Sequence, residues 1–130
     1  MRYLSASWIH PLHIPPIREG VIQVSDSGEI IKLFNNRNQV DRNKLEVFDG
    51  ILCPGFINAH CHLELSHLIG VIEKGRGILN FIKDIQCRNN FTNEDILLAI
   101  ELSENTMIKN GIVAVADICN TLDTLFQKEK

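Results

Sequence analysis

The chain has 130 residues, of which 45% are hydrophobic and 22% charged; this fits one domain or part of a larger one and excludes a disordered or collagen-like protein. Its net charge is −3, and no run of Lys or Arg offers a surface for nucleic acid. No apolar stretch approaches the roughly 18 residues of a membrane span, and the first residues lack the apolar core of a secretory signal, so we expect a cytoplasmic protein that binds neither nucleic acid nor membrane.

The first fifty residues predict short strands separated by turns. Residues 3–9 are rich in β-formers, and prolines interrupt the chain soon after them. Two apolar runs, Val21–Val24 and Ile30–Phe34, flank a run of turn formers at residues 25–29. This arrangement predicts an antiparallel hairpin.

One more strand is predicted in this part of the chain. Residues 45–48 alternate between apolar and polar side chains, and Asp49 and Gly50 are expected to end the strand. The polar residues 35–44 before it are predicted to form a loop. The segment is therefore all-β, and it is too small to be stable alone.

The pattern changes after Ile51. Pro54 and Gly55 signal a turn, and residues 56–65 carry a new alternation of apolar side chains, which indicates a strand. Apolar residues at helical spacing within residues 78–85 then predict a short amphipathic helix.

A longer helix is predicted next. Thr92 or Asn93 can cap its N-terminus, and Asn110 with Gly111 can end it, because Gly tolerates a left-handed backbone. The residues predicted to form its buried face are Ile96, Leu97, Ile100, Met107 and Ile108.

A continuous apolar run at residues 112–116 indicates a strand covered on both faces. Residues 120–130 predict another helix, with Asn120 as its N-cap and Asp123 supporting the cap. The order strand, helices, strand, helix predicts an α/β architecture, in which a parallel sheet is joined by helical crossovers.

The candidate chemistry lies in the segment around His60 and His62. If the strand continues, His60, His62, Glu64 and Ser66 share one of its faces, because side chains of a strand alternate. Two imidazoles two residues apart on a strand can reach one metal ion. A helical conformation would instead align His60, Glu64 and His67, but the turn before the segment favours a strand.

The string from Pro54 to His62, PGFINAHCH, resembles the PGFIDxHxH signature of the amidohydrolase superfamily of metal-dependent deaminases, chlorohydrolases and related hydrolases. The following residues 63–66, LELS, look most like the cytosine-deaminase and chlorohydrolase-like branch. The resemblance covers most of this chain, but only about the first third of a family member.

The resemblance implies a fold and a domain division. Residues 1–53 would be an N-terminal β-sandwich segment, and residues 54–130 would be the first two βα units of a (β/α)₈ TIM-type barrel, which is incomplete here. His60 and His62 would then be metal ligands at the C-terminal mouth of the barrel.

The resemblance also implies an activity. The metal would be zinc or iron, and it would activate a water that attacks an electron-poor ring carbon of a small-molecule heterocycle, so that ammonia or halide leaves. The remaining ligands and the proton shuttle of such enzymes are expected beyond residue 130.

Two carboxylates have open roles. Glu64 contacts the substrate or holds its own loop, and Asp117 either points into the barrel mouth or, as we favour, supports neighbouring groups. The alternative to an enzyme is a non-catalytic metal-binding or interaction module built on the same start of a fold. The 130 residues alone are expected to be inactive and to self-associate through the edge of the incomplete barrel.

Overall fold

The computed structural model describes residues 1–129, and for residues 87–89 it describes the backbone alone. The chain divides into two compact units, Met1–Pro54 and Gly55–Lys130.

The first unit is a five-stranded mixed sheet with two short 3₁₀ turns. The central strand, β1, pairs antiparallel with β2 and β3 and parallel with β5, and β3 pairs antiparallel with β4. Its strands are β1 (Arg2–Ile9), β2 (Ile17–Arg18), β3 (Val21–Val24), β4 (Ile30–Phe34) and β5 (Leu45–Leu52), and the 3₁₀ turns span Arg37–Gln39 and Arg42–Lys44. The antiparallel hairpin predicted from the sequence is confirmed, with Ile22 opposite Leu33.

The last strand of this sheet is longer than predicted. The sequence pattern placed its end at Asp49 and Gly50, but β5 continues through both residues to Leu52. Gly50 adopts a φ of 98°, and the register between β5 and β1 shifts between Ala6 and Trp8. A bulge thus absorbs the turn-forming residues without ending the strand, because glycine reaches positive φ at no steric cost.

The five strands form one sheet. Its buried residues are Ser5, Ala6, Ile9 and Val21. A sandwich needs two facing sheets, and the described residues of this unit supply one, so the assignment of residues 1–53 to a β-sandwich stays a prediction.

The second unit contains two parallel strands with helical segments between them. Its elements are β6 (Phe56–Cys61), a 3₁₀ helix at Leu63–Leu68, α1 (Ile78–Asp84), a 3₁₀ helix at Ile85–Asn90, α2 (Asn93–Lys109), β7 (Ile112–Asp117) and α3 (Leu125–Lys128). β6 and β7 pair in parallel. Such pairing requires a long crossover, which the helical segments provide. The chain is thus mixed α/β, and among the described residues the antiparallel pairs all lie in the first unit.

Helix α2 carries the core of the second unit. Thr92 is its N-cap in a reciprocal capping box with Asp95, as the sequence predicted for Thr92. Ile96 and Ile100 are buried with Leu63, which lies just after β6. The buried face of α2 is narrower than predicted, since Leu97 and Ile108 are exposed.

Two predictions about the end of the chain are wrong in detail. Strand β7 is not covered on both faces: Val113 is 72% exposed, and Ala114 on the opposite face is also exposed. The last helix begins at Leu125 with Thr124 at its N-cap position rather than at Asn120, and residue 130 lies outside the described residues. No helix in the described part of the chain is both long and apolar enough to cross a membrane.

Candidate functional site

The first strand of the second unit ends between the two candidate histidines. β6 stops at Cys61, and His62 has φ −127° and ψ 78°, after which the chain turns into the 3₁₀ helix at Leu63–Leu68. The extended conformation therefore does not reach Glu64 and Ser66, and the prediction that these residues continue the histidine face of the strand is wrong. The position of Glu64 is determined by contacts with distant residues and not by the strand.

His60 and His62 lie side by side at this strand end. Their ring centroids are 5.2 Å apart and the ring planes meet at 73°. His60 is exposed, whereas His62 Nδ1 is buried and has no hydrogen-bond partner among the described residues. The two histidines thus lie next to each other, and one ring nitrogen of His62 has no hydrogen-bond partner among the described residues.

These two imidazoles match part of a metal centre. Imidazole nitrogens suit zinc and iron, and a catalytic zinc site usually has three protein ligands. Within the described residues, no cluster of three or more His, Cys, Asp or Glu side chains could hold a metal ion. The donor set therefore fits two ligands of a site, and a third would have to come from elsewhere.

Glu64 is fully buried in the 3₁₀ helix that follows His62. Its Oε1 accepts hydrogen bonds from the backbone N–H of Asn120 at 3.0 Å and from Asn120 Nδ2 at 3.2 Å. The same oxygen lies 3.8 Å from His62 Nδ1, while Oε2 has no hydrogen-bond partner among the described residues. Burying a carboxylate costs free energy unless the group is paired. The two donors of Asn120 supply that pairing for Glu64.

Asp117 is the second buried carboxylate, at the end of β7. Its side chain is 2% exposed, Oδ1 accepts the backbone N–H of Leu63 at 2.9 Å, and Oδ2 pairs with Lys128 Nζ at 3.4 Å. Burial raises the pKa of Asp117, but these contacts outweigh it and the pKa lies below its ordinary value. Burial, and then the charge of Asp117, raises the pKa of the neighbouring Cys61 thiol.

The two carboxylates connect the ends of the two strands reciprocally. Asp117, at the end of β7, accepts from the turn after β6, and Glu64, in the turn after β6, accepts from the loop after β7. We call these two contacts, Asp117 to Leu63 and Glu64 to Asn120, the strand-end clamp. It holds together the edge at which the carboxyl ends of parallel strands meet, which is where ligands bind in such sheets.

Sequence reasoning did not identify the role of Asn120. It was predicted to be a helix N-cap, and the structure places it in a loop as the donor to Glu64. Lys128 was also not singled out, although it pairs with Asp117. The available signal was weak, because each of these partners is separated from its carboxylate by a stretch of chain whose course the local sequence does not specify.

Comparison with known proteins found a distant similarity to a deaminase. No family model matches the chain. The chain is 28% identical over 102 residues to a 5-methylthioadenosine/S-adenosylhomocysteine deaminase from Haloarcula marismortui. The similarity covers 78% of this chain and 24% of the relative, so the chain spans about a quarter of the length of the curated protein it matches.

Proposed function

We propose that this chain is the N-terminal part of a metal-dependent hydrolase that deaminates an amino-substituted heterocycle. The single observation that carries the proposal is the pair of imidazoles, with ring centroids 5.2 Å apart, at the carboxyl end of a strand that pairs in parallel with β7. The similarity to a deaminase supports the same reaction class and favours ammonia over halide as the leaving group.

The proposed architecture is the start of a (β/α)₈ barrel. In that arrangement β6 and β7 would be its first two strands, and the first unit would contribute to a separate sheet domain. Active sites of such barrels lie at the carboxyl ends of the strands. His60, His62 and the strand-end clamp all occupy that end of the sheet, which supports the assignment.

His60 and His62 would hold the divalent ion, zinc or iron. The ion supplies Lewis-acid activation of water for attack on the ring carbon that carries the amino group. The residues of this chain contribute the two imidazole donors and the rigid edge that fixes them. Asp117 keeps the turn after His62 against β7 through the backbone N–H of Leu63. A substrate contact by Glu64 stays a prediction, and its complete burial makes the loop-holding role the better supported of the two.

The test is metal content and ammonia release in the protein that carries this chain. We expect His60→Ala and His62→Ala each to lose bound metal, measured by mass spectrometry, and to lose deamination of a panel of aminopurine nucleosides, aminopyrimidines and aminotriazines. His13→Ala is the matched control, because His13 is an exposed histidine of the first unit. Full metal occupancy in both site variants would refute the ligand assignment.

A non-catalytic metal-binding module is the second candidate. It rests on the same pair of imidazoles at the end of β6 and requires no further catalytic group. Such a module would bind metal through His60 and His62 and release no ammonia from any substrate in the panel.

The isolated 130 residues are proposed to be inactive and self-associating. Two histidine donors bind a metal loosely when the rest of the ligand set is missing, and β7 has an exposed apolar face in which Val113 and Val115 are accessible. Unpaired strand edges recruit other chains. Analytical ultracentrifugation of residues 1–130 tests the association, and a monomer at all concentrations would contradict it.

A further inference from the structure

We infer that Glu64 is a positioning residue that accepts the Nδ1–H of His62 and so leaves Nε2 of His62 as the metal-binding nitrogen. The inference rests on the proposed function, because it assigns the ring nitrogen through which one of the two proposed ligands binds.

The contact between the two side chains is the starting observation. His62 Nδ1 and Glu64 Oε1 are 3.8 Å apart, which exceeds the length of a hydrogen bond. Both His62 Nδ1 and the other carboxylate oxygen, Oε2, are buried and have no hydrogen-bond partner among the described residues. Buried polar groups are nearly always hydrogen-bonded, so His62 Nδ1, which has no partner among the described residues, is poised to donate to the carboxylate beside it.

The carboxylate itself is held firmly. Both donors of Asn120, its backbone N–H and Nδ2, bind Oε1 from one side, at 3.0 and 3.2 Å. Glu64 is completely buried and cannot swing out without breaking both bonds. The imidazole of His62 is the more mobile partner, since its side chain is 34% exposed. A ring rotation of His62 therefore closes the gap.

The chemistry of metal ligation gives this pairing a function. A histidine that binds a metal through one ring nitrogen usually donates the N–H of the other to a carboxylate or carbonyl, which fixes the tautomer and the ring orientation. Of the described carboxylates, Glu64 is the one that forms an ion-pair contact with His62. The burial of Glu64 is thereby explained by His62 as well as by the clamp.

The decisive variant is Glu64→Gln, which keeps the size of the side chain and an oxygen acceptor for Asn120 but loses the negative charge. In the metal-free protein, ¹⁵N-labelled histidine resolves which ring nitrogen carries the proton. We expect His62 to be protonated at Nδ1 in the native protein and to shift toward Nε2 protonation in Glu64→Gln. In a titration with Co²⁺ or Zn²⁺, we expect Glu64→Gln to weaken binding by about 10- to 100-fold.

Asp117→Asn is the matched control. Asp117 is the other buried carboxylate of the strand-end clamp and has no contact with an imidazole ring among those described. We expect Asp117→Asn to leave the His62 ring signals unchanged and to weaken metal binding less than Glu64→Gln does. An equal loss of affinity in both variants would assign the effect to the clamp and overturn the inference.

The outcomes separate this inference from the proposed function. Native ring signals and native metal affinity in Glu64→Gln, with metal still lost in His60→Ala, would overturn the positioning role and leave the proposed function standing. A native protein that binds no metal through His60 would overturn the proposed function, while the metal-free ring signals would still decide whether Glu64 sets the tautomer of His62.

Discussion

The two units of the chain bury different kinds of residues. The first unit buries Ser5 with three apolar residues, and the Ser5 hydroxyl donates to Gly20 O at 2.8 Å and accepts from Arg37 Nε at 2.8 Å. The second unit buries Glu64, His67 and Thr124, while many of its apolar side chains are exposed. Polar groups are costly to bury unless they are paired, so the second unit depends more on specific polar contacts than the first does.

The two units also differ in the interactions that hold their strands together. In the first unit, backbone hydrogen bonds join five strands into one sheet. In the second unit, two strands pair with each other and side chains of opposite loops connect their ends. We conclude that the first unit depends chiefly on strand pairing and the second on a small apolar core together with the strand-end clamp. The following substitutions test that contrast.

The largest effect is expected from Ile100→Ala. Ile100 is completely buried in the small core of the second unit, next to Leu63 and Ile96. Removing its side chain should lower the free energy of unfolding by about 2 to 5 kcal/mol, measured by urea denaturation. Ile108→Ala on the same helix is the control, because Ile108 is 60% exposed and should change stability little. Equal effects of the two substitutions would contradict the assigned core.

Asp117→Asn should destabilise the second unit by about 1 to 3 kcal/mol at neutral pH, since a charged acceptor of buried hydrogen bonds is lost. The effect depends on pH. Burial alone would raise the pKa of Asp117, but hydrogen bonds from the Leu63 N–H and the Thr124 hydroxyl, together with Lys128, lower it in the folded state. Its contribution is therefore complete above the ordinary aspartate pKa and is lost as the pH falls through the lower folded pKa.

Unfolding free energies of the native protein and Asp117→Asn should thus converge in acid. Glu46→Gln provides the comparison from the first unit, where the exposed Glu46 also has a lowered pKa because Arg2 donates a hydrogen bond to it. We expect a much weaker pH dependence from Glu46, because solvent screens an exposed pair. A constant difference between the native protein and Asp117→Asn down to pH 2 would show that the Asp117 charge does not stabilise the fold.

Thr92→Ala should cost about 1 kcal/mol, the usual value of an N-cap. The Thr92 hydroxyl accepts from the backbone N–H of Asp95 at 3.2 Å, and Asp95 accepts from the Thr92 N–H at 3.3 Å. Helical circular dichroism during thermal unfolding measures the loss. Thr106→Ala is the control within the same helix, because its exposed hydroxyl only donates to the Leu102 carbonyl one turn earlier. The capping assignment fails if Thr106→Ala is the more destabilising of the two.

The smallest effect is expected from Arg2→Gln in the first unit. Arg2 and Glu46 form a bidentate pair across β1 and β5, with bonds of 2.8 and 2.6 Å, but both side chains are exposed. We expect no measurable change of melting temperature at physiological salt, because exposed ion pairs contribute little. A clear drop in melting temperature would mean that charged side chains stabilise the first unit as they do the second.

Local sequence patterns were sufficient to predict several secondary-structure elements. Alternation of apolar side chains around the turn at residues 25–29 predicted the hairpin of β3 and β4, and the residue types at Thr92 and Gly111 predicted both ends of α2. It also singled out His60 and His62, through a short motif within one strand and its end. Each of these features depends on interactions between residues close in the chain, so a local pattern is sufficient to predict it.

Tertiary structure alone decided how Glu64, Asp117 and Asn120 are used. The contact between Glu64 and Asn120 joins residues 56 positions apart, and it exists because β6 and β7 pair in parallel and bring the loops after both strands to one edge. Long-range pairing with β1 likewise extends β5 through Gly50 to Leu52. No local periodicity specifies such contacts, since burial of a carboxylate depends on donors supplied by a distant segment.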